Sequence, residues 1–377
     1  MDTLLRWPDI PHPAVVATTA AVATASLIVM AKATLWPRRQ SVLRSPLKTV
    51  LPRVSREELS ELVYLPDAFP GARDVETPYG TIRVYEFGPE DGDKVLLVHG
   101  ISTSCITLGR IAHALVERGC RVMLFDLFGR GFTDGVGDIP HDTRLYTTQI
   151  LLVLASSRLS WTGSLGFRLT GYSLGGGIVI PFANAFPHMV SSLVLLAPAG
   201  LIDAASFGAV SRFIFSSGFV PERILAVLTG QRLQRPIASS RAARTKAAGV
   251  MAAAEAENLA GEKATPLEEK VLDYVRWMVH NHEGFVPAFM SCIRYAPLTE
   301  QHEEWKGLAK REKGTTAVIF AETDELISAE DYARDGLPLV GGEGHVFWRV
   351  VPGSHDFVMT HVAAIMKELD EFWDMKT

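Results

Sequence analysis

The chain has 377 residues, 47% of them apolar and 21% charged, with a net charge of −5. This is a globular composition, long enough for one large domain with an insertion, and it excludes a disordered protein. Lysine and arginine are interspersed with acidic residues, which excludes the broad basic face that nucleic acid requires.

The uncharged run from Pro13 to Ala31 has about the 17 to 25 residues that a membrane-spanning helix needs. Its many alanines and threonines moderate the drive for insertion, while Trp7 and Trp36 suit the two membrane interfaces. Lys32, Arg38, Arg39, Arg44, Lys48, Arg53 and Arg56 follow it, whereas Arg6 precedes it beside Asp2 and Asp9. That asymmetry predicts a single-pass anchor in residues 1–36, contacting the membrane through residues 13–35, with the body in the cytosol. Two rival readings stand beside it. One is a signal peptide with a poor cleavage site at Ala31-Lys32-Ala33, leaving a soluble or secreted body; the other is a helix packed on the body.

Residues 37–72 are rich in proline and arginine and read as a linker, with Ser55 and Glu58 at capping-box spacing starting a short helix. Arg73–Thr77 and Thr81–Phe87 flank the turn cluster Pro78-Tyr79-Gly80 and predict a hairpin. Val95–Val98 is a continuous apolar strand ending at His99-Gly100. A helix over Ile106–Glu117 follows, then strand Arg121–Phe125, helix Leu145–Leu159, strand Leu165–Thr170, helix Leu174–Ala185 and strand Leu193–Ala197. This alternation predicts an α/β fold with a mostly parallel sheet flanked by helices. The rhythm stops at Leu201. Helical patterns fill the stretch to Pro297, among them Arg223–Leu228, Ala242–Leu259 and Lys270–Met278. Strands resume at Thr316–Ala321 and Val346–Val351, and an amphipathic helix over His361–Met375 closes the chain. The predicted units are core residues 73–200, a helical insertion over 201–298, and core residues 299–377.

Three polar residues follow three different strands: Ser173, Asp324 and His355. Parallel strands bring their C-terminal ends to one edge, where open α/β sheets build their sites. Ser173 lies in Gly171-x-Ser-x-Gly175, between a buried strand and a small-residue helix. A reactive serine needs a sharp turn and a nearby base, and glycines give the turn its room. Cys105, Cys120 and Cys292 have no close pairing and no metal-ligand spacing, and read as small buried hydrophobes in a reducing compartment.

His99-Gly100-Ile101, the Asp126-x-x-Gly129-x-Gly131-x-Thr133-Asp134 turn, the Ser173 elbow and the late Asp324 and His355 occur in the order of the α/β-hydrolase superfamily, which the chain resembles from Val75 onward. The 201–298 insertion sits where that family places its cap. Ala321 and Thr133 depart from the more usual glycine and serine. The resemblance implies an α/β-hydrolase fold and acyl transfer by Ser173, His355 and Asp324, with Ile101 and Leu174 N–H groups as the oxyanion hole. It implies no metal and no cofactor, and as substrate an ester, thioester or lactone of an apolar small molecule or lipid. Amidase and carbon–carbon bond hydrolase chemistry share this machinery, and a non-catalytic small-ligand receptor shares the fold. Asp203 is the rival acid, and His345, His361, His280 and His282 are rival bases. His99, Asp126 and Asp134 read as structural, and Ser102 as an auxiliary donor or a plain loop residue. Trp277, Met278, Phe285, Phe289 and Met290 read as a cap core that also walls a lipophilic pocket.

Overall fold

The computed structural model describes residues 13–35, 40–163, 165–203, 215, 220–234 and 267–375. The predicted helix over Ala242–Leu259 lies outside them.

Helix α1 (Pro13–Leu35) stands clear of the body, with none of its apolar length buried. Its threonines do not break it, because the Thr18 and Thr19 hydroxyls each donate at 2.8 Å to the carbonyl four residues earlier. It is long and apolar enough to cross a membrane. The segment after it is pinned from its first described residues. Strand β1 (Val42–Leu43) pairs antiparallel with β6 (Gly135–Val136), and the short helices α2 (Pro46–Thr49) and α3 (Arg56–Ser60) follow. The predicted capping box at Ser55 and Glu58 is present in both directions.

The body is built on eight strands in the order β10-β9-β8-β7-β4-β5-β3-β2. They are β2 (Arg73–Thr77), β3 (Gly80–Phe87), β4 (Lys94–Val98), β5 (Arg121–Phe125), β7 (Phe167–Tyr172), β8 (Val190–Leu196), β9 (Thr316–Ala321) and β10 (Phe347–Val351). From β5 through β10 every neighbouring pair is parallel, while β3 runs antiparallel to both β2 and β5. Val95 to Val98 and every residue of β9 are buried, which explains their unbroken apolar runs: helices cover both faces. The helices are α4 (Gly109–Glu117), entered through a 3₁₀ turn at Cys105–Leu108, α5 (Thr143–Ala155) and α6 (Leu174–Ala185). Between β8 and β9 lie α7 (Glu222–Leu233), α8 (Leu267–Asn281), α9 (Phe285–Tyr295) and α10 (His302–Leu308). Helix α11 (Ala329–Asp335) precedes β10, and α12 (Phe357–Thr360) and α13 (Val362–Trp373) end the chain.

Two differences from the sequence reading matter for the site. Strand β7 runs two residues further than Leu165–Thr170, through Tyr172, so Ser173 follows the last paired residue directly. The strand order also reverses at β4. The chain goes from β4 to β5 on one side and returns to place β7 on the other, with Val98 opposite Gly171. This is a topological switch point, where open α/β sheets form a crevice.

Candidate active site

Ser173 sits at the crest between β7 and α6 with φ 54° and ψ −121°, a backbone region that side chains avoid. The turn closes because two neighbours lack side chains. A Cβ on Gly171 would stand 2.5 Å from the Gly175 carbonyl oxygen, and one on Gly175 would stand 2.2 Å from the Val98 carbonyl oxygen. Strand and helix thus touch where they diverge, and the hydroxyl is left facing the crevice.

His355 arrives from the loop after β10, and Asp324 from the loop after β9. The ring joins them: Nε2 lies 3.1 Å from Ser173 Oγ and Nδ1 lies 2.8 Å from Asp324 Oδ2. Asp324 Oδ1 accepts the Leu326 and Ile327 N–H groups, each at 2.8 Å, so its second oxygen is turned toward the ring. A carboxylate accepts only, so Nδ1 carries the proton and Nε2 offers its lone pair to the serine hydroxyl. Burial opposes a charged ring, yet Asp324, with Asp356 and Glu325 beyond it, outweighs burial and holds the His355 pKa above the ordinary histidine value.

The rival residues lie elsewhere. His282 spans the Thr133 carbonyl and the Gly284 N–H, and burial pushes its pKa down to about 4. His361 bonds the neighbouring Thr360 hydroxyl, and His280 bonds Gln234. Asp203 is exposed, and His355 pairs with Asp324 instead. His99 is fully buried, with Nδ1 on the Gly100 carbonyl at 2.9 Å and Nε2 accepting the Leu127 N–H at 2.9 Å. Both nitrogens hold backbone, and burial together with the nearby Arg130 charge pushes its pKa down to about 3.

Leu174 is the first residue of α6, where N–H groups have no partner within the helix. Gly100 lies against the elbow, a Cβ there standing 3.3 Å from Ser173 Cβ, so Ile101 follows within the same crevice. Among the described residues no group of three or more histidine, cysteine, aspartate or glutamate side chains is arranged to hold a metal. The three cysteines are buried and free.

Sequence reasoning missed two supports of His355. The Tyr172 hydroxyl donates to the His355 carbonyl at 2.9 Å, and Glu325 Oε2 accepts the His355 N–H at 3.3 Å. Their adjacency to Ser173 and Asp324 was the available signal. It also missed that Asp126 and Asp134 hold the N-terminal segment as well as their own loop. Asp126 accepts the Tyr64 hydroxyl at 3.0 Å, and Asp134 accepts Ser45 N–H and Lys48 Nζ, each at 2.8 Å. No local pattern announces contacts across such separations.

The profile of the family described as "Serine aminopeptidase, S33" matches residues 90–267, the stretch from β4 through the Ser173 elbow and beyond. The same fold recurs in a membrane phospholipase A described as a bacterial virulence factor, at TM-score 0.56 and 18% identity over 96% of each chain. The chain has the α/β-hydrolase fold. A bromoperoxidase from Bacillus anthracis has this fold too, at TM-score 0.57 and 16% identity, covering 80% of this chain and 99% of that one. A serine hydrolase-like protein of Dictyostelium discoideum is 30% identical over 144 residues, which is 36% of this chain. The match spans only 38% of that relative's length.

Proposed function

We propose that the protein is a membrane-anchored serine hydrolase that cleaves an ester, thioester or lactone of an apolar small molecule or lipid through an acyl-enzyme. The observation that carries this reading is the His355 ring, 3.1 Å from Ser173 Oγ on one side and 2.8 Å from Asp324 on the other. His355 Nε2 takes the hydroxyl proton as Ser173 Oγ attacks the carbonyl, and Asp324 holds the imidazolium that results. The Leu174 and Ile101 N–H groups receive the oxyanion, each worth about 3 to 4 kcal/mol in comparable sites. The protonated ring then gives its proton to the leaving group. Water attacks the acyl-enzyme with His355 again as base.

An apolar substrate is supported by the helices of the 201–298 region, which we read as the cap. Met278, Phe285 and Met290 are buried as their core, while Trp277 and Phe289 remain partly exposed. The likeness to a membrane phospholipase A points the same way, as does α1. We assign α1 as the anchor and, from the basic residues after it, the body to the cytosolic side.

Labelling of the full chain with a fluorophosphonate tests the reading. We expect labelling that Ser173→Ala abolishes, and hydrolysis of an ester panel that rises with acyl length. A folded chain that takes no label at Ser173 refutes the proposal. Retention in the membrane pellet after carbonate washing, lost on removal of residues 1–36, tests the anchor.

A further inference from the structure

Behind the loop that carries Ile101 lies a buried cation without a carboxylate. Arg130 occupies the variable position of Gly129-x-Gly131 in the turn after β5 and is fully buried. A guanidinium keeps its charge at any relevant pH and presents donors in a rigid fork, so its burial demands acceptors placed to match. They come from separate parts of the molecule. Arg130 Nε donates to the Ile101 carbonyl at 3.0 Å, Nη1 to the Phe128 carbonyl at 2.8 Å and the Tyr146 hydroxyl at 3.3 Å, and Nη2 to Cys292 Sγ at 3.3 Å. Cys292 belongs to α9 and Tyr146 to α5, and these two also bond each other at 3.0 Å. Among the described residues no aspartate or glutamate forms an ion pair with Arg130.

The consequence for Ile101 follows from peptide geometry. A trans peptide points its N–H and its C=O in opposite directions. His99, by holding the Gly100 carbonyl, sets the plane from which the Ile101 N–H projects. Arg130, by holding the Ile101 carbonyl, sets the next plane. With both planes fixed, neither φ nor ψ of Ile101 can drift. The fork that fixes the second plane is itself held from the cap side, by the sulfur of Cys292.

We propose that Arg130 is a positioning residue that aims the Ile101 N–H at the oxyanion and, through Cys292, makes turnover depend on how α9 is seated. This rests on the serine-hydrolase reading. Arg130 touches no reacting atom; it acts through the Ile101 backbone. Removing an oxyanion donor outright costs about 100- to 1,000-fold in kcat, so a misaimed donor costs part of that.

The test uses the full chain with Arg130→Lys, Arg130→Met, Cys292→Ala and Cys292→Ser. Each is assayed for kcat and KM on a p-nitrophenyl ester, and for affinity toward a trifluoromethyl ketone of the same acyl length, which adds to the serine as a tetrahedral oxyanion. Circular dichroism melts report folding. For Arg130→Lys we expect kcat to fall about 10- to 100-fold with KM within about 2-fold, and ketone affinity to fall in step. Cys292→Ala should lose about 2- to 5-fold in the same pattern, and Cys292→Ser, which keeps an acceptor, should lose less. A folded Arg130→Lys with native kcat and native ketone affinity overturns the proposal, as does a loss confined to KM. If the Arg130 variants do not fold, the Cys292 pair decides, and native values for Cys292→Ala overturn it. A native chain without Ser173-dependent turnover removes the hydrolase reading and this inference together; native turnover with indifferent variants removes this inference alone.

Discussion

The Ser173 elbow and the helices between β8 and β9 are held in different ways. The elbow is backbone against backbone: Gly171 and Gly175 lie in contact, and Ser173 N–H donates to the Leu196 carbonyl while its own carbonyl accepts Ala199 N–H. The helices after β8 meet the body backbone to backbone where Gly284 approaches Gly129 and Gly135 and where Leu298 and Gln301 bond Gly200, and they add side-chain ties. His282 bonds the Thr133 carbonyl, Arg130 bonds Cys292, and Glu283 pairs with Arg44 of the segment after α1. A packed backbone turn has no alternative arrangement to relax into, whereas side-chain ties can be lost one by one. On the proposed function, the groups that break the bond are held by packed backbone, and the helices after β8 by contacts that include titratable and polar side chains.

Substitutions at Ser173 and at Asp324, its partner through His355, should act on chemistry without grading. Ser173→Ala should lower kcat/KM by about 10⁴-fold or more, and Asp324→Asn by about 10⁴-fold, because the amide reverses the tautomer that Nδ1 must hold. Steady-state hydrolysis checks both, and a melt within a few degrees of native shows that the fold survived. Residual rates above a hundredth of native would mean that another nucleophile replaces Ser173, or that another acid replaces Asp324.

Gly175→Ala tests the backbone side of the comparison. Its Cβ would meet the Val98 and His99 carbonyl oxygens at 2.2 and 2.7 Å, neither of which is a movable side chain. We expect a loss of about 1 to 3 kcal/mol in urea unfolding, with activity reduced because β4 and β7 must part at the crevice. Native stability would show that the elbow has slack after all.

How much of this was legible follows the same division. Fold class, most strands and the residues meeting at the elbow were readable, because a buried parallel strand must be apolar throughout and its C-terminal end is where polar residues can emerge. The strand order was not. Nothing in the chain around Val95–Val98 says that β7 will return to the far side of β4, since that depends on which helices cover which face. The ties of Tyr64 to Asp126, Arg44 to Glu283 and Arg130 to Cys292 were invisible for a related reason. A lone tyrosine, arginine or cysteine carries no spacing signal, and its partner is set by tertiary packing.

His282 makes the seam between the helices after β8 and the Thr133 turn respond to acid. Burial holds its pKa down to about 4, against an ordinary histidine value near 6.5. The unfolded chain therefore takes up a proton that the native chain refuses. Stability is fully present above about pH 6.5 and falls as the pH drops toward 4, by about 1.4 kcal/mol per unit for each such histidine. His99 and His141, each pushed down to about 3, add to the same slope. Urea unfolding between pH 7 and 4 should show this decline, and His282→Gln should flatten it by one proton. An unchanged slope would mean that His282 is already solvated in the native state.

The smallest effect is expected at Glu325, in the loop after β9. Its carboxylate accepts the His355 N–H and contributes to the raised His355 pKa after Asp324 and Asp356. Only the neutral ring can accept the serine proton, so activity is lost as the pH falls through that raised pKa, and the acid limb of kcat/KM lies above the ordinary histidine value. Replacing Glu325 with Gln removes one charge that favours the imidazolium and keeps a hydrogen-bond acceptor. The limb should then move to lower pH by about half a unit or less, because Glu325 is exposed and its field is screened by water and salt, while the plateau rate stays within about 2-fold. High salt should produce a shift of the same sign in the native chain and a smaller one in Glu325→Gln, where Asp356 remains to be screened. A limb that moves up on substitution would assign Glu325 to holding the loop rather than tuning the ring.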